Sequence, residues 1–169
     1  WAQQNYSSCK DMATLCEYAI SKYQVFRDIV CLPSYHMAST SYHSDGTDIY
    51  NTNLMLDSMT DYYYSYAKGI KTGTLDSAGR CLASYAEYEG TTYLIVTMGA
   101  PMDKLEEDVK KGEEDPDSIY GGDNVYYNLL DHINLYKWAF SSLVATDFVD
   151  KNSEIRDVKV SYGDGIDYA

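Results

Sequence analysis

The stretch KGIKTGTLDSAGRCLAS, Lys68 to Ser84, holds the residue types best suited to acyl-transfer chemistry. Lys71 supplies a fixed positive charge for proton traffic and for a substrate carboxylate. Thr72 adds a hydroxyl for the same carboxylate, and Gly73 lets a substrate lie close to the backbone. Three residues are a weak signal alone, and a charged edge strand with one glycine is their plain structural reading. Such chemistry also needs a nucleophile. One Ser-x-x-Lys string occurs, Ser7-Ser8-Cys9-Lys10. A serine on the first turn of a helix with a lysine one turn on has workable geometry, but the same serines are what a helix N-cap requires.

Other side chains offer weaker alternatives. His36 and His43, with Asp45 or Asp48, raise metal binding, yet they lie on weak strand residues beside a turn. His132, next to Asp131, reads as a surface or half-buried helix residue, and no spacing supports a Ser/His/Asp triad. The run Tyr62–Tyr66 reads as a partly covered aromatic loop near the site or as a stacking platform for sugar or peptide. Cys9, Cys16, Cys31 and Cys81 show no CxxC and no Cys/His ligand spacing, so zinc and other cofactors are not expected. Buried free thiols are the expectation. Cys9 and Cys16 share a helix face two turns apart and cannot bridge one another.

The elements that must position Lys71 follow from periodicity. Met12, Leu15, Cys16, Ala19, Ile20 and Tyr23 carry helical spacing, with Ser7 or Ser8 as cap and Asp11 suited to the helix dipole. A second short apolar piece, Val25 to Val30, stops at Pro33. SYHMAST reads as a strand, SDGTD as a turn, and IYNTNLML as the lead into the tyrosine-rich loop. From Lys68 the pattern is β. Cys81, Ala83 and Tyr85 alternate with Leu82, Ser84 and Ala86, and TTYLIVTMGA is almost continuously apolar, so Arg80–Ala100 is a hairpin turned at Glu89-Gly90. Three antiparallel strands result, with Lys71 on the first. Leu129, Ile133, Tyr136 and Phe140 then mark a strong helix over Asn128–Leu143.

Charge narrows the partners. The chain has 169 residues, 13 Lys and Arg against 26 Asp and Glu, and a net charge of −13. It would repel phosphate backbones, so nucleic acid is excluded as a ligand. Part of the excess sits in DKLEEDVKKGEEDPD, expected to be a solvated loop or short exposed helix. Nineteen tyrosines against three phenylalanines imply many half-buried rings with wet hydroxyls.

The ordered set YNTN (Tyr50–Asn53), GIKTG (Gly69–Gly73), AGRCL (Ala78–Leu82), the strand ending Gly99-Ala100-Pro101 and the closing helix resembles the serine-type D-alanyl-D-alanine carboxypeptidases, the low-molecular-mass penicillin-binding proteins. The N-terminal helix resembles that family's Asp-Met-Ala helix, which follows its second motif. The resemblance implies a partial β-lactamase/transpeptidase-like domain, α/β of the α+β type, with an antiparallel sheet backed by a C-terminal helix. It implies residues 1–147 as the C-terminal part of the catalytic domain, 103–123 as an acidic insertion, and 148–169 as a linker and the start of a β-rich second domain. Lys71 is then the charge beside the nucleophile, Thr72 and Thr74 contact the terminal carboxylate, the Thr74 N–H forms half of an oxyanion hole, and Gly73 gives clearance. The substrate implied is the D-Ala-D-Ala end of a peptidoglycan stem peptide, with β-lactams as ligands, outside the bacterial cytoplasmic membrane.

Two motifs of that pattern, the nucleophilic Ser-x-x-Lys and the Ser-x-Asn, are expected upstream of the first helix and are missing. Aligned by its flanks, Ser7–Lys10 falls on the later helix, and Tyr126-Tyr127-Asn128 mimics a Tyr-x-Asn second motif in the wrong order. The chain is therefore expected to be inert alone, to associate with the N-terminal half of its domain, or to dimerise through an exposed sheet flank. A non-catalytic peptide-binding module and a β-lactamase-like hydrolase are the alternatives. The tail separates the second of these, since a β-rich second domain favours the carboxypeptidase.

Overall fold

The computed structural model describes residues 6–143, so the expected linker and second domain at 148–169 lie outside the described residues. Helix α1 (Cys9–Lys22) starts at Ser8, whose hydroxyl accepts from the Asp11 N–H at 3.1 Å and donates to the Asp11 carboxylate at 2.8 Å. Of the two candidate caps, Ser8 is the one engaged. Helix α2 (Gln24–Val30) follows after a single residue, and β1 (Ser34–Met37) pairs antiparallel with β2 (Thr47–Tyr50) in a small exposed hairpin. The sequence reading found the first of these strands and the turn but not the second strand.

The main sheet has three antiparallel strands, β3 (Ala67–Leu75), β4 (Gly79–Tyr88) and β5 (Thr91–Ala100), in the order β3-β4-β5. The β4–β5 turn is Glu89-Gly90, both at positive φ, the backbone a tight hairpin needs. Strand β4 is central, and its alternation decides the layers. Leu82, Ser84 and Ala86 face α4 (Tyr127–Ser142), where they join Met55, Tyr64, Leu129, Ile133 and Tyr136 in the larger core. Ala83 and Tyr85 face α1 and α2, with Cys16, Ile70, Phe26 and Val30. Each fully buried aliphatic side chain contributes roughly 1.5–3 kcal/mol, so both faces of β4 are held by burial.

Several expectations are corrected here. Only Cys16 is a buried thiol; Cys9 is exposed, Cys31 and Cys81 are half-buried, and all four are free. The acidic stretch takes the second of its two expected forms, a short and mostly exposed helix. It forms α3 (Glu106–Glu114), whose buried Asp108 accepts from Lys111 at 2.5 Å and from the Tyr127 hydroxyl at 2.8 Å, tying it to the start of α4. His132 is fully buried rather than at the surface. The tyrosine run is a partly covered loop, one of its two expected forms: Tyr62 and Tyr64 enter the α4-side core, while Tyr63 and Tyr66 stay exposed. No helix among the described residues is long and apolar enough to cross a membrane.

Candidate functional site

Strand β3 is the edge strand beside β4, and Lys71, Gly73 and Thr74 are exposed on it. The register separates its side chains. Lys71 and Gly73 pair with Ala83 and Cys81, on the side of α1 and α2, whereas Thr72 and Thr74 pair with Leu82 and Arg80, on the side of α4. All four residues expected from the sequence therefore stand on one accessible strand, and although Lys71 starts from the other face, its Nζ reaches the cleft that the threonines line.

The loop after β2 brings further groups. Thr52 Oγ1 lies 2.6 Å from Thr72 Oγ1, and Lys71 Nζ donates to Thr52 Oγ1 at 3.4 Å and to the Thr72 carbonyl at 2.7 Å. Asn53 locks this loop onto β3: its side chain, fully buried, donates to the Gly69 carbonyl at 3.1 Å and accepts from the Met55 N–H. Asn51 donates to the carbonyls of Val30 and Leu32 and accepts from the Asn53 N–H. The YNTN segment thus acts as a clamp joining α2, the loop and β3. At Gly69 a Cβ would come within 2.8 Å of Val30, so glycine is required where β3 passes under α2. At Gly73 a Cβ would meet only Cys81, at 3.8 Å, an ordinary contact. Packing among the described residues does not demand glycine there.

A cleft of about 470 Å³ runs along the α4 side of this strand, lined by Thr52, Lys71, Thr72 and Thr74 on one wall and by Arg80 and Asn128 among its other walls. Arg80 was not singled out by sequence reasoning, and Asn128 only as the end of a Tyr-x-Asn string in the wrong order. Arg80 is nine-tenths buried, its guanidinium 4.2 Å from the centre of the Tyr126 ring, which Tyr62 supports edge-on at 5.3 Å. The available signal was a charge in the buried series 80, 82, 84, 86 of β4. Tyr126 and Asn128, in the wrong chain order for a second motif, nonetheless line the cleft in space.

The other candidates are not brought together with Lys71. His36 Nδ1 meets Asp48 at 2.7 Å on the exposed β1–β2 hairpin, and no metal-holding cluster occurs among the described residues. His132 hydrogen-bonds through Nδ1 to Ser84 at 2.7 Å and through Nε2 to Thr97 at 3.1 Å, inside the α4 layer, and burial lowers its pKa to about 4. It is a neutral structural histidine. On the opposite side of β3, an apolar groove of about 540 Å³ separates α1 from the sheet, with Met12, Leu15, Ala19, Val96 and Met98 among its lining.

This arrangement can be set beside known proteins. The family model for D-alanyl-D-alanine carboxypeptidase matches residues 2–102, more than half of the chain. A mutant of the Streptomyces K15 DD-transpeptidase is similar in fold, with a TM-score of 0.60 and 24% identity over 83% of this chain and 45% of that one. The Streptomyces K15 DD-transpeptidase itself gives a TM-score of 0.51 and 29% identity over 59% of this chain and 37% of that one. The D-alanyl-D-alanine carboxypeptidase from Mycobacterium tuberculosis gives 0.56 and 20% over 88% and 43%. The chain spans less than half the length of each of these structures. The expected α+β fold is borne out, in part of a DD-peptidase-like domain. From the match across α1, α2, the YNTN clamp and the sheet that carries the Lys-Thr-Gly strand, the chain belongs to the D-alanyl-D-alanine carboxypeptidase family of peptidases.

Proposed function

We propose that this chain forms the Lys-Thr-Gly wall of a serine DD-peptidase site that cleaves the D-Ala-D-Ala end of peptidoglycan stem peptides and is acylated by β-lactams. The observation that carries the reading is the free edge of β3, where Lys71, Thr52 and Thr72 hold one connected set of polar groups and Gly73 leaves room that packing does not need. In the reaction, a serine from a Ser-x-x-Lys segment outside these 169 positions attacks the carbonyl carbon of the penultimate residue. Its proton passes to a base, D-Ala leaves as the amine, and water then hydrolyses the acyl ester. Lys71 stabilises negative charge beside that serine. Outward N–H groups of an edge strand have no ladder partner, which suits the Thr74 N–H to half of an oxyanion hole. Thr72 and Thr74 offer hydroxyls to the terminal carboxylate. The reading sets the protein at work outside the cytoplasmic membrane.

The test is covalent labelling with a fluorescent penicillin, read by intact mass. The chain is treated alone and after refolding with a polypeptide carrying the family's Ser-x-x-Lys and Ser-x-Asn half. The expected result is no adduct on this chain, an adduct on the added half, and a labelling rate roughly a hundredfold lower with Lys71→Ala. An adduct on the isolated chain that disappears in Ser7→Ala would overturn the assignment of the nucleophile.

A further inference from the structure

Thr52 is the third residue of the YNTN clamp, and its neighbours fix where its hydroxyl stands. The Asn51 side chain is engaged by the carbonyls of Val30 and Leu32, and that of Asn53 by the Gly69 carbonyl. Thr52, exposed between them, meets Thr72 Oγ1 at 2.6 Å and the Lys71 ammonium at 3.4 Å. Lys71 leaves β3 on the side of α1 and α2. Its bonds to Thr52 and to the Thr72 carbonyl therefore bring its charge across the strand edge, to the side where the threonines stand.

Lys71, Thr52 and Thr72 form a chain whose direction follows from what each group can do. An ammonium donates and never accepts, so the Thr52 oxygen is the acceptor of the Lys71 bond. That bond polarises the Thr52 hydroxyl, which becomes a better donor, while its oxygen becomes a poorer acceptor for a second proton. Among the described residues, Thr72 Oγ1 is the one acceptor bonded to Thr52. Thr52 therefore donates to Thr72. The Thr72 hydroxyl, with no other partner among the described residues, keeps its own proton free and turned away from Thr52. Thr72 lines the cleft and is only half-buried, so a ligand in the cleft meets that proton.

We propose that Thr52 is a positioning residue for the peptide's terminal carboxylate. It does not touch the ligand; it fixes Thr72 as a donor and passes the polarisation of the Lys71 ammonium to the hydroxyl that does. The inference rests on the DD-peptidase reading, which sets the carboxylate on Thr72, and deepens it by giving a role to a residue outside the Lys-Thr-Gly strand. Without Thr52, the Thr72 hydroxyl rotates among its staggered positions and only part of the time offers its proton to the cleft.

The experiment measures binding of N-acetyl-D-alanyl-D-alanine to the 169-residue chain, followed by amide NMR shifts, in a cycle of four proteins: wild type, Thr52→Val, Thr72→Val and the double variant. Valine keeps the branched shape of threonine and removes the hydroxyl. Thr52→Val is expected to weaken binding roughly threefold to tenfold, the range of one neutral hydrogen bond, and Thr52→Ser is expected to bind as the wild type does. In the Thr72→Val background, Thr52→Val is expected to change nothing, because a residue that acts through Thr72 has nothing left to act on. An equal loss in both backgrounds would overturn the inference, since Thr52 would then touch the ligand itself or do no more than hold the loop. So would a Thr52→Ser variant as weak as Thr52→Val, or wild-type affinity in Thr52→Val. A wild type that binds neither this dipeptide nor N-acetyl-L-alanyl-L-alanine would also overturn it, while acylation of the refolded protein by penicillin would still uphold the DD-peptidase reading. Equal binding of the two dipeptides, with the cycle unchanged, would support the role of Thr52 and count against the D-Ala-D-Ala assignment.

Discussion

Single residues divide into those whose role can be read from their type and those whose role depends on what surrounds them. Lys71, Thr72, Gly73 and Thr74 belong to the first kind: their types suggest the acyl-transfer wall proposed above, and the fold sets all four on one accessible strand. His132 belongs to the second. A histidine beside an aspartate on a helix reads as a surface or half-buried residue, and only the sheet position of Ser84 and Thr97 makes it a buried, doubly bonded neutral ring. That burial has a measurable sign. Its pKa falls from the ordinary 6.5 to about 4, so the folded protein resists protonating it, whereas the unfolded chain takes up the proton as pH drops below 6.5. The stabilisation is complete above pH 6.5 and is lost between 6.5 and about 4. It amounts to about 3 kcal/mol at most. Urea midpoints of the wild type should therefore fall across that window more steeply than those of His132→Gln. Parallel pH profiles would mean that His132 is not held neutral.

At the scale of elements, the periodic segments were legible. The β4 alternation, the Glu89-Gly90 turn and the Asn128–Leu143 helix all stand where their hydrophobic spacing puts them, within a residue at the helix ends. What could not be read is the second strand of the β1–β2 hairpin and the clamp after it. The four residues of β2 are exposed throughout, so the strand carries no burial pattern for periodicity to detect. The clamp works through side-chain amides bonding to carbonyls distant in sequence, a pattern that propensity does not encode. Asn53 is its centre. Asn53→Ala removes a buried donor to the Gly69 carbonyl and the acceptor of the Met55 N–H, at a cost of about 2–4 kcal/mol by the usual penalty per orphaned group. Because Thr52 is carried on the same loop, the variant should also weaken binding of the acetylated D-Ala-D-Ala dipeptide more than its loss of stability explains. A variant equally destabilised but with unchanged dipeptide affinity would show that the loop does not position Thr52.

The described residues form a sheet with a complete layer on one face and an incomplete one on the other. Helix α4 closes the first, burying Leu82, Ser84 and Ala86 almost fully. On the second face, α1 and α2 leave the groove beside Lys71, and Leu15 in its lining is more than half exposed. Apolar surface of this kind next to a candidate site marks a place that another segment covers. The choice of occupant is constrained by charge and by length. A second copy would bring a further −13 onto a chain already at −13, which opposes pairing in the absence of salt. The matched part is less than half of each structural neighbour's chain, and the remainder of such a domain is the occupant that fits the function proposed above. Ala19 lies in the groove lining, so Ala19→Glu would put a carboxylate where an apolar partner must seat, at several kcal/mol for an unpaired buried charge, while leaving the α4-side core untouched. The variant should remain as stable as the wild-type chain by itself and yet fail to support penicillin acylation after refolding with the Ser-x-x-Lys half. Undiminished acylation would mean that the added half assembles on some other surface, and that the groove beside Lys71 is open in the working protein.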